Sequence, residues 1–167
     1  IPSADAERSG PASRGFGPGG AYAAQHLAVA EAVMATAAGA EGLPWQLVYQ
    51  SRSGPPSQPW LEPDINDAIA ELPAKGVKAV VIVPLGFVSD HMEVMWDLDN
   101  EALETCAEHG LHGVRTPTPG VDPAYVSGLV GLLLERVPGT RTGDRPSRPA
   151  RRIDIVFVDD EGFRPAA

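Results

Sequence analysis

A short apolar run followed closely by acidic residues is the feature that most constrains the fold of this chain. Residues 79–83 read Ala-Val-Val-Ile-Val, an unbroken stretch rich in β-branched side chains, and Pro84 and Gly86 end it. Such a run is typical of a strand buried on both faces of a parallel sheet. The sequence therefore predicts an α/β fold with its chemistry beyond the carboxyl end of this strand.

The segments around this strand alternate between helical and extended patterns. Apolar residues recur at helical spacing over residues 21–39 and 64–72, and Asp64 is suited to cap the second of these helices. Strand-like patterns occupy residues 45–50 and 112–115. A last helix, over residues 122–138, has four apolar side chains that are predicted to face inward: Val126, Leu129, Val130 and Leu133. This alternation predicts a parallel sheet flanked by helices, of the doubly wound class.

The two ends of the chain lack such periodicity. Residues 1–20 are rich in glycine and proline and are predicted to form a loop. Residues 138–167 begin with an arginine- and proline-rich linker, within which residues 153–158 form either an edge strand or an unpacked tail. We therefore expect one lobe over residues 1–137. The first residue is Ile1 rather than methionine, which suggests a fragment or a processed product.

Charge and composition exclude several classes of function. The formal net charge of −9 argues against nucleic-acid binding, which needs a basic surface. No apolar run approaches the roughly 20 residues of a transmembrane segment. The single cysteine, Cys106, excludes an internal disulfide and a set of thiolate ligands. These features predict a cytoplasmic protein.

The acidic residues after the strand allow two interpretations. Asp90 and Glu93 have the spacing of a capping box, and Asp97 and Glu101 could form the solvated face of a helix. However, the repeated carboxylates have no basic partner four residues on, and a local π-bulge would keep them aligned along a path for a divalent cation. His91 suits a metal ligand, a proton acceptor or a helix cap.

A proline-rich loop between the predicted strand at residues 45–50 and the helix at residues 64–72 adds two candidates. Arg52 suits binding of an anionic group, or satisfies loop carbonyls instead. Trp60 is a candidate for a ligand contact or for a plug in the core. Both follow a predicted strand, where ligands of α/β proteins bind.

Three blocks of sequence, in order, carry a resemblance to a known family. They are Tyr-Gln-Ser-Arg-Ser-Gly at residues 49–54, Pro-Trp-Leu-Glu-Pro at residues 59–63, and Pro-Leu-Gly-Phe-Val-Ser-Asp-His-Met-Glu at residues 84–93. Together with Asp97 and Glu101, they make residues 1–137 resemble the C-terminal half of ferrochelatase. The resemblance implies one of two Rossmann-like, chelatase-type lobes that face each other across a porphyrin cleft.

The resemblance also implies roles for individual residues. Glu93 and His91 match catalytic positions, and Glu93, Asp97 and Glu101 match metal-binding positions. The resemblance also implies that Asp97 and Glu101 lie on a π-helix. The remaining matches are those near the porphyrin, Trp60, Phe87 and Arg52, and the supporting residues Asp90 and Ser89.

The implied reaction is insertion of ferrous iron into a porphyrin during haem biosynthesis. Coproporphyrin III, the substrate of the bacterial branch, is favoured over protoporphyrin IX. With Cys106 alone, no iron–sulfur cluster is expected. The catalytic histidine of the family would lie two residues before Ile1, so the N-terminal lobe is an expected partner and the fragment alone is expected to be inactive.

Two rival interpretations stay open. The chain is a non-catalytic module that binds a porphyrin or a protein partner, or a short chelatase that completes its cleft as a homodimer. In the second case, His91 is the candidate for the missing histidine.

Overall fold

The computed structural model describes residues 1–137, and the predictions for the tail at residues 138–167, including the strand at residues 153–158, lie outside this range. The described elements, in chain order, are α1 (Ser3–Arg8), α2 (Gly20–Thr36), α3 (Ile65–Glu71), β1 (Ala79–Ile82), α4 (Met92–Val94), a π-helical segment (Met95–Ala102), α5 (Leu103–Glu108), β2 (His112–Arg115) and α6 (Pro123–Leu134). Short 3₁₀ turns occupy Ala12–Arg14 and Pro73–Lys75.

The two strands form a parallel pair joined by a helical crossover. β1 pairs with β2 in the register Ala79↔His112 to Ile82↔Arg115. A Cβ added at Gly113 of β2 would come within 2.8 Å of the Cys106 Sγ, so the glycine lets α5 pack directly against the strand. The predicted α/β fold, with a parallel sheet and covering helices, is confirmed.

The core lies between α3, the sheet and the helical crossover. It consists of eight buried side chains: Ile65, Ile69, Ile82, Val94, Leu98, Ala102, Cys106 and Leu111. Asp64 caps α3 as predicted, because its carboxylate accepts a hydrogen bond of 2.9 Å from the Asn66 N–H.

The buried residues of the crossover recur at intervals of four, and so do its acidic residues. Positions 94, 98, 102 and 106 are at most 1% exposed. The carboxylates of Glu93, Asp97 and Glu101 each come one residue before a buried position. In an α-helix a four-residue interval drifts by about 40° per step. The i→i+5 bonding of the π-helical segment widens the turn, which keeps both rows aligned.

The expectation of a loop over residues 1–20 is wrong for its first part, where the structure contains α1. Ala6 of α1 is 1% exposed and packs near the start of α2. A Cβ added at Gly20 would lie 2.2 Å from the Gly10 carbonyl oxygen, so the two segments approach at backbone distance. The glycines that suggest a loop therefore permit close packing.

The strand predicted at residues 45–50 is not part of the sheet. Tyr49 makes a single isolated parallel bridge with Asp64. The prediction that the strand at residues 79–83 is buried on both faces is also wrong. Ala79, Val80 and Val81 are half-buried, and Val83 is 43% exposed. Within residues 1–137 the sheet has only two strands, so one edge of β1 has no neighbour in the sheet.

Helix α6 also differs from its prediction. Its N-terminus is capped by the Asp122 carboxylate, which accepts a hydrogen bond of 2.7 Å from the Ala124 N–H. The four side chains predicted to face inward are instead 42–69% exposed: Val126, Leu129, Val130 and Leu133. Apolar periodicity indicated the helix correctly, but the described residues provide no surface that covers it.

Candidate functional site

A cavity of about 1270 Å³ lies beside β1 and its carboxyl end. Its wall includes residues of α2, the segment 43–51, and the sequence candidates Trp60, Phe87 and Glu93. Burial raises the pKa of Tyr22 and of Tyr49 in the same wall, which keeps both hydroxyls neutral. The lining is mainly aliphatic and aromatic, which is typical of a site for a large apolar ligand.

Glu93 lies in the first turn of the helical crossover and faces the cavity. It is exposed, and no hydrogen bond to its carboxylate is found among the described residues. A carboxylate at the start of a helix is stabilised by the partial positive charge there. Glu93 is therefore a carboxyl group available to a ligand.

His91 caps the helix that carries Glu93. Its Nδ1 accepts a hydrogen bond of 3.5 Å from the Val94 N–H, and its ring packs edge-on against Phe87 with centroids 4.9 Å apart. Asp90 is not the N-cap, so the capping-box interpretation of Asp90 and Glu93 is wrong. With Nδ1 as acceptor, the neutral imidazole carries its proton on Nε2.

Asp90 is bound to the end of β2 instead. Its Oδ1 accepts a hydrogen bond of 2.7 Å from Arg115 Nη1 and one of 3.3 Å from the Thr118 N–H. The neighbouring Ser89 is exposed, and its carbonyl accepts a hydrogen bond of 2.9 Å from the His91 N–H. These contacts fix the turn between β1 and Glu93.

Asp97 lies one turn after Glu93 and contacts the segment that ends at residue 51. Ser51 Oγ donates a hydrogen bond to Asp97 Oδ2, and Gln50 Nε2 donates another at 3.3 Å. Both donors line the cavity. Ser51 has φ of 64°, a left-handed conformation that is uncommon for residues other than glycine.

Glu101 lies at the far end of the row and is exposed. It accepts a hydrogen bond of 3.1 Å from Trp96 Nε1, five residues earlier, which matches the width of a π-helical turn. Within residues 1–137, no three side chains of His, Cys, Asp or Glu lie close enough to hold one metal ion. The three carboxylates are therefore successive groups rather than one coordination site.

The chain has sequence similarity to known proteins along most of its length. A model of the ferrochelatase family matches residues 1–137. The chain belongs to the ferrochelatase family. It is similar to the coproporphyrin III ferrochelatase of Leifsonia xyli, with 64% identity over 152 residues that cover 88% of this chain and 39% of that protein.

Other ferrochelatases show the same partial coverage. The coproporphyrin III ferrochelatase of Tropheryma whipplei strain Twist is 56% identical over 149 residues, which cover 88% of this chain and 38% of the relative. The ferrochelatase of Rhodopirellula baltica is 57% identical over 94 residues, which cover 56% and 27%. The chain thus spans about two fifths of the length of the first two of these relatives.

The two other candidates for the porphyrin site differ in their contacts. Arg52 Nη2 donates a hydrogen bond of 3.1 Å to Glu62 Oε1 in an exposed ion pair outside the cavity wall. Trp60 lines the cavity, and its buried Nε1–H has no hydrogen-bond acceptor among residues 1–137. A buried donor without a partner is costly, so a ligand atom or water in the cavity would stabilise it.

Sequence reasoning did not single out several residues that organise this site. Arg115 binds both Asp90 and Asp99, and Gln50 and Ser51 bind Asp97. Gln50 and Ser51 belong to a block that carries the resemblance, so a signal for them existed. No local pattern marks Arg115.

In the described part of the chain, no helix is long and apolar enough to cross a membrane.

Two substitutions of Ser51 separate the effect of its backbone conformation on stability from the effect of its hydroxyl group. Ser51→Gly and Ser51→Ala both remove the hydrogen bond to Asp97, but only glycine adopts a positive φ without strain. We expect Ser51→Ala to be less stable than Ser51→Gly by about 1 kcal/mol. Urea unfolding of both variants measures the difference. Equal stabilities would contradict the left-handed conformation of residue 51.

Proposed function

We propose that this chain is the C-terminal lobe of a ferrochelatase that inserts ferrous iron into coproporphyrin III in haem biosynthesis. The observation that carries the proposal is the position of Glu93, an exposed carboxylate in the wall of a 1270 Å³ cavity at the carboxyl end of β1. This volume exceeds the roughly 300–1,000 Å³ of sites for drug-sized ligands, which suits a macrocycle. The names of the Leifsonia xyli and Tropheryma whipplei relatives support the substrate.

The proposed chemistry exchanges one Fe²⁺ ion for two protons of the porphyrin. Each pyrrole nitrogen that loses a proton gains a bond to iron, and a base within hydrogen-bond reach must take the proton. Glu93 is the group proposed to do so, because it faces the cavity and no hydrogen bond to its side chain is found within residues 1–137. His91 is the second proposed catalytic residue, and its contacts with Val94 and Phe87 support a role in orienting Glu93.

Asp97 and Glu101 would bring iron to Glu93. Both present carboxylate oxygens one turn apart, and both accept hydrogen bonds only from neutral donors in the described part of the chain. Iron could displace such donors more easily than it could displace an arginine. Separate carboxylates suit transfer of a substrate metal, since a closed set of ligands would retain it.

Trp60 and Phe87 would contact the porphyrin. Both are aromatic side chains in the cavity wall, and stacking on aromatic faces suits a flat, apolar macrocycle. Arg52 would bind a propionate of the substrate after leaving Glu62, its exposed partner at 3.1 Å. Asp90 and Ser89 would support the turn that orients His91.

The opposite wall of the cleft would come from another lobe of the same enzyme. The chain covers 39% of the Leifsonia xyli relative, which leaves ample length for such a lobe. Cytoplasmic location and the absence of an iron–sulfur cluster also stay predictions. Cys106 is buried against Gly113, and burial raises its pKa, which disfavours the thiolate that binds iron.

The test uses a hybrid enzyme, defined as the Leifsonia xyli relative with its matching segment replaced by residues 1–137. We expect the hybrid to insert Fe²⁺ into coproporphyrin III under anaerobic conditions, as followed by the absorbance of the porphyrin, and to act more slowly on protoporphyrin IX. The unmodified relative is the positive control. The chain of 167 residues, assayed alone, is expected to be inactive.

Each other outcome favours a different function. Insertion by the chain alone, together with a dimeric mass, would support the short homodimeric chelatase. A folded hybrid that binds porphyrin without inserting iron would support the non-catalytic binding module. A preference for protoporphyrin IX would contradict the proposed substrate and leave the reaction intact.

A further inference from the structure

Arg115 joins the end of β2 to Asp90, which precedes the row of carboxylates, and to Asp99, which lies within the same segment. Its Nε donates a hydrogen bond of 2.6 Å to Oδ1 of Asp99, in the π-helical segment, and its Nη2 donates one of 2.6 Å to Oδ2 of the same residue. Its Nη1 donates a hydrogen bond of 2.7 Å to Asp90, before the helix. The Arg115 side chain is only 12% exposed. One guanidinium therefore fixes two points of the segment that carries Glu93 and Asp97.

The acidic residues of this region fall into two groups according to their partners. Asp90 and Asp99 bind the guanidinium of Arg115. In residues 1–137, the hydrogen bonds found for Asp97 and Glu101 come from neutral donors, and none is found for Glu93. Both carboxylate oxygens of Asp99 are therefore occupied by hydrogen bonds from Arg115.

We propose that Arg115 is a positioning residue for iron transfer, which keeps Asp99 out of the metal path and holds Glu93, Asp97 and Glu101 in line. This inference rests on the proposed function. Asp99 is two residues from Asp97 and from Glu101, so its side chain leaves a different side of the helix. A bidentate arginine fixes the direction of a carboxylate, whereas a lysine acts as a point charge.

Loss of Arg115 has two consequences for the metal path. Asp99 becomes a free carboxylate beside Asp97 and competes for iron at a position that does not lead to the cavity. The π-helical segment also loses its anchor to β2. If the segment relaxes to an α-helix, each four-residue interval drifts by about 40°, which takes Glu93, Asp97 and Glu101 out of line.

The test compares three variants in the hybrid enzyme: Arg115→Gln, Arg115→Lys and Asp99→Asn. Groups that orient metal ligands typically contribute 10- to 100-fold to metal affinity or activity. We therefore expect Arg115→Gln and Arg115→Lys to raise the KM for Fe²⁺ about 10- to 100-fold, while the KM for the porphyrin stays unchanged. Asp99→Asn leaves the contact between Arg115 and Asp90 intact and should raise the KM for Fe²⁺ less.

Arg8→Gln is the matched control, because Arg8 forms an exposed ion pair with Asp5 on α1, away from the cavity wall. Thermal melting of each variant separates stability from metal handling. If Arg115→Gln lowers the melting temperature and leaves the KM for Fe²⁺ unchanged, Arg115 has only a structural role. Full recovery by Arg115→Lys would also overturn the proposal, since charge alone would suffice. If Arg115→Gln fails to fold, Asp99→Asn tests the proposal instead. A KM for Fe²⁺ above that of Arg8→Gln would then support it, and an equal KM would overturn it.

The failure of this inference is distinguishable from the failure of the proposed function. A parent hybrid that inserts no iron would overturn both. A parent hybrid that inserts iron, with Arg115 variants whose KM for Fe²⁺ equals that of Arg8→Gln, would overturn only the role of Arg115.

Discussion

Replacing Glu93 by glutamine in the hybrid enzyme is expected to reduce kcat for iron insertion roughly 10²- to 10⁴-fold. Glutamine keeps the size and shape of the side chain but accepts no proton from the porphyrin and offers no charge to Fe²⁺. Because Glu93 is exposed and no hydrogen bond to its side chain is found in residues 1–137, folding should be unaffected. The measurement is the anaerobic rate of insertion at saturating Fe²⁺ and coproporphyrin III.

Glu104→Gln is the matched control for this substitution. Glu104 is an exposed glutamate in α5, in the same helical crossover, but outside the row of carboxylates and the cavity wall. The same loss of one negative charge should leave kcat unchanged there. Near-normal turnover by Glu93→Gln would contradict the assignment of Glu93 as the proton acceptor.

The second large effect concerns the packing beneath the acidic row. Leu98 is 1% exposed and lies in the π-helical segment, directly after Asp97 in sequence. Leu98→Ala should lower the free energy of unfolding by about 2–5 kcal/mol, because the neighbouring side chains cannot completely fill the space that the removed atoms leave. The fall in the urea midpoint of the isolated chain, at an unchanged slope, measures this effect.

Leu132→Ala removes the same atoms from an exposed position. Leu132 is 60% exposed on α6, so its substitution in the isolated chain should change stability by less than about 0.5 kcal/mol. If Leu98→Ala were as mild as this control, the packing described for the crossover would be wrong. In the hybrid enzyme, the Leu132 variant instead reports whether the second lobe covers α6.

Local sequence patterns were sufficient for the elements that depend on nearby residues. The apolar run predicts β1, and the aspartate before residue 65 predicts the cap of α3. The alignment of carboxylates at intervals of four pointed to a π-helical distortion, which Met95–Ala102 confirms. Each of these signals is read over about ten residues.

Predictions that depend on distant residues were less successful. Residues 45–50 have a strand-like composition, but a strand needs a partner, and Tyr49 makes only one isolated bridge. The apolar periodicity of α6 indicates which side chains share one face of the helix, but it does not indicate whether another element packs on that face. Asp90 suited an N-cap by spacing, yet Arg115, 25 residues later, binds it and leaves the cap to His91. Such pairings follow from the register of β2 against β1.

The common interval of four in the helical crossover restricts how this segment can change. Positions 94, 98, 102 and 106 are buried, and the carboxylates at positions 93, 97 and 101 each lie one residue before them. Deleting one of residues 95–97 would bring Asp99 to the buried position 98, and it would bring Leu98 and Ala102 to positions 97 and 101 of the acidic row. Substitutions within the segment alter one contact at a time, whereas a change of its length alters them all. The number of residues here should therefore be more strictly limited than their identity.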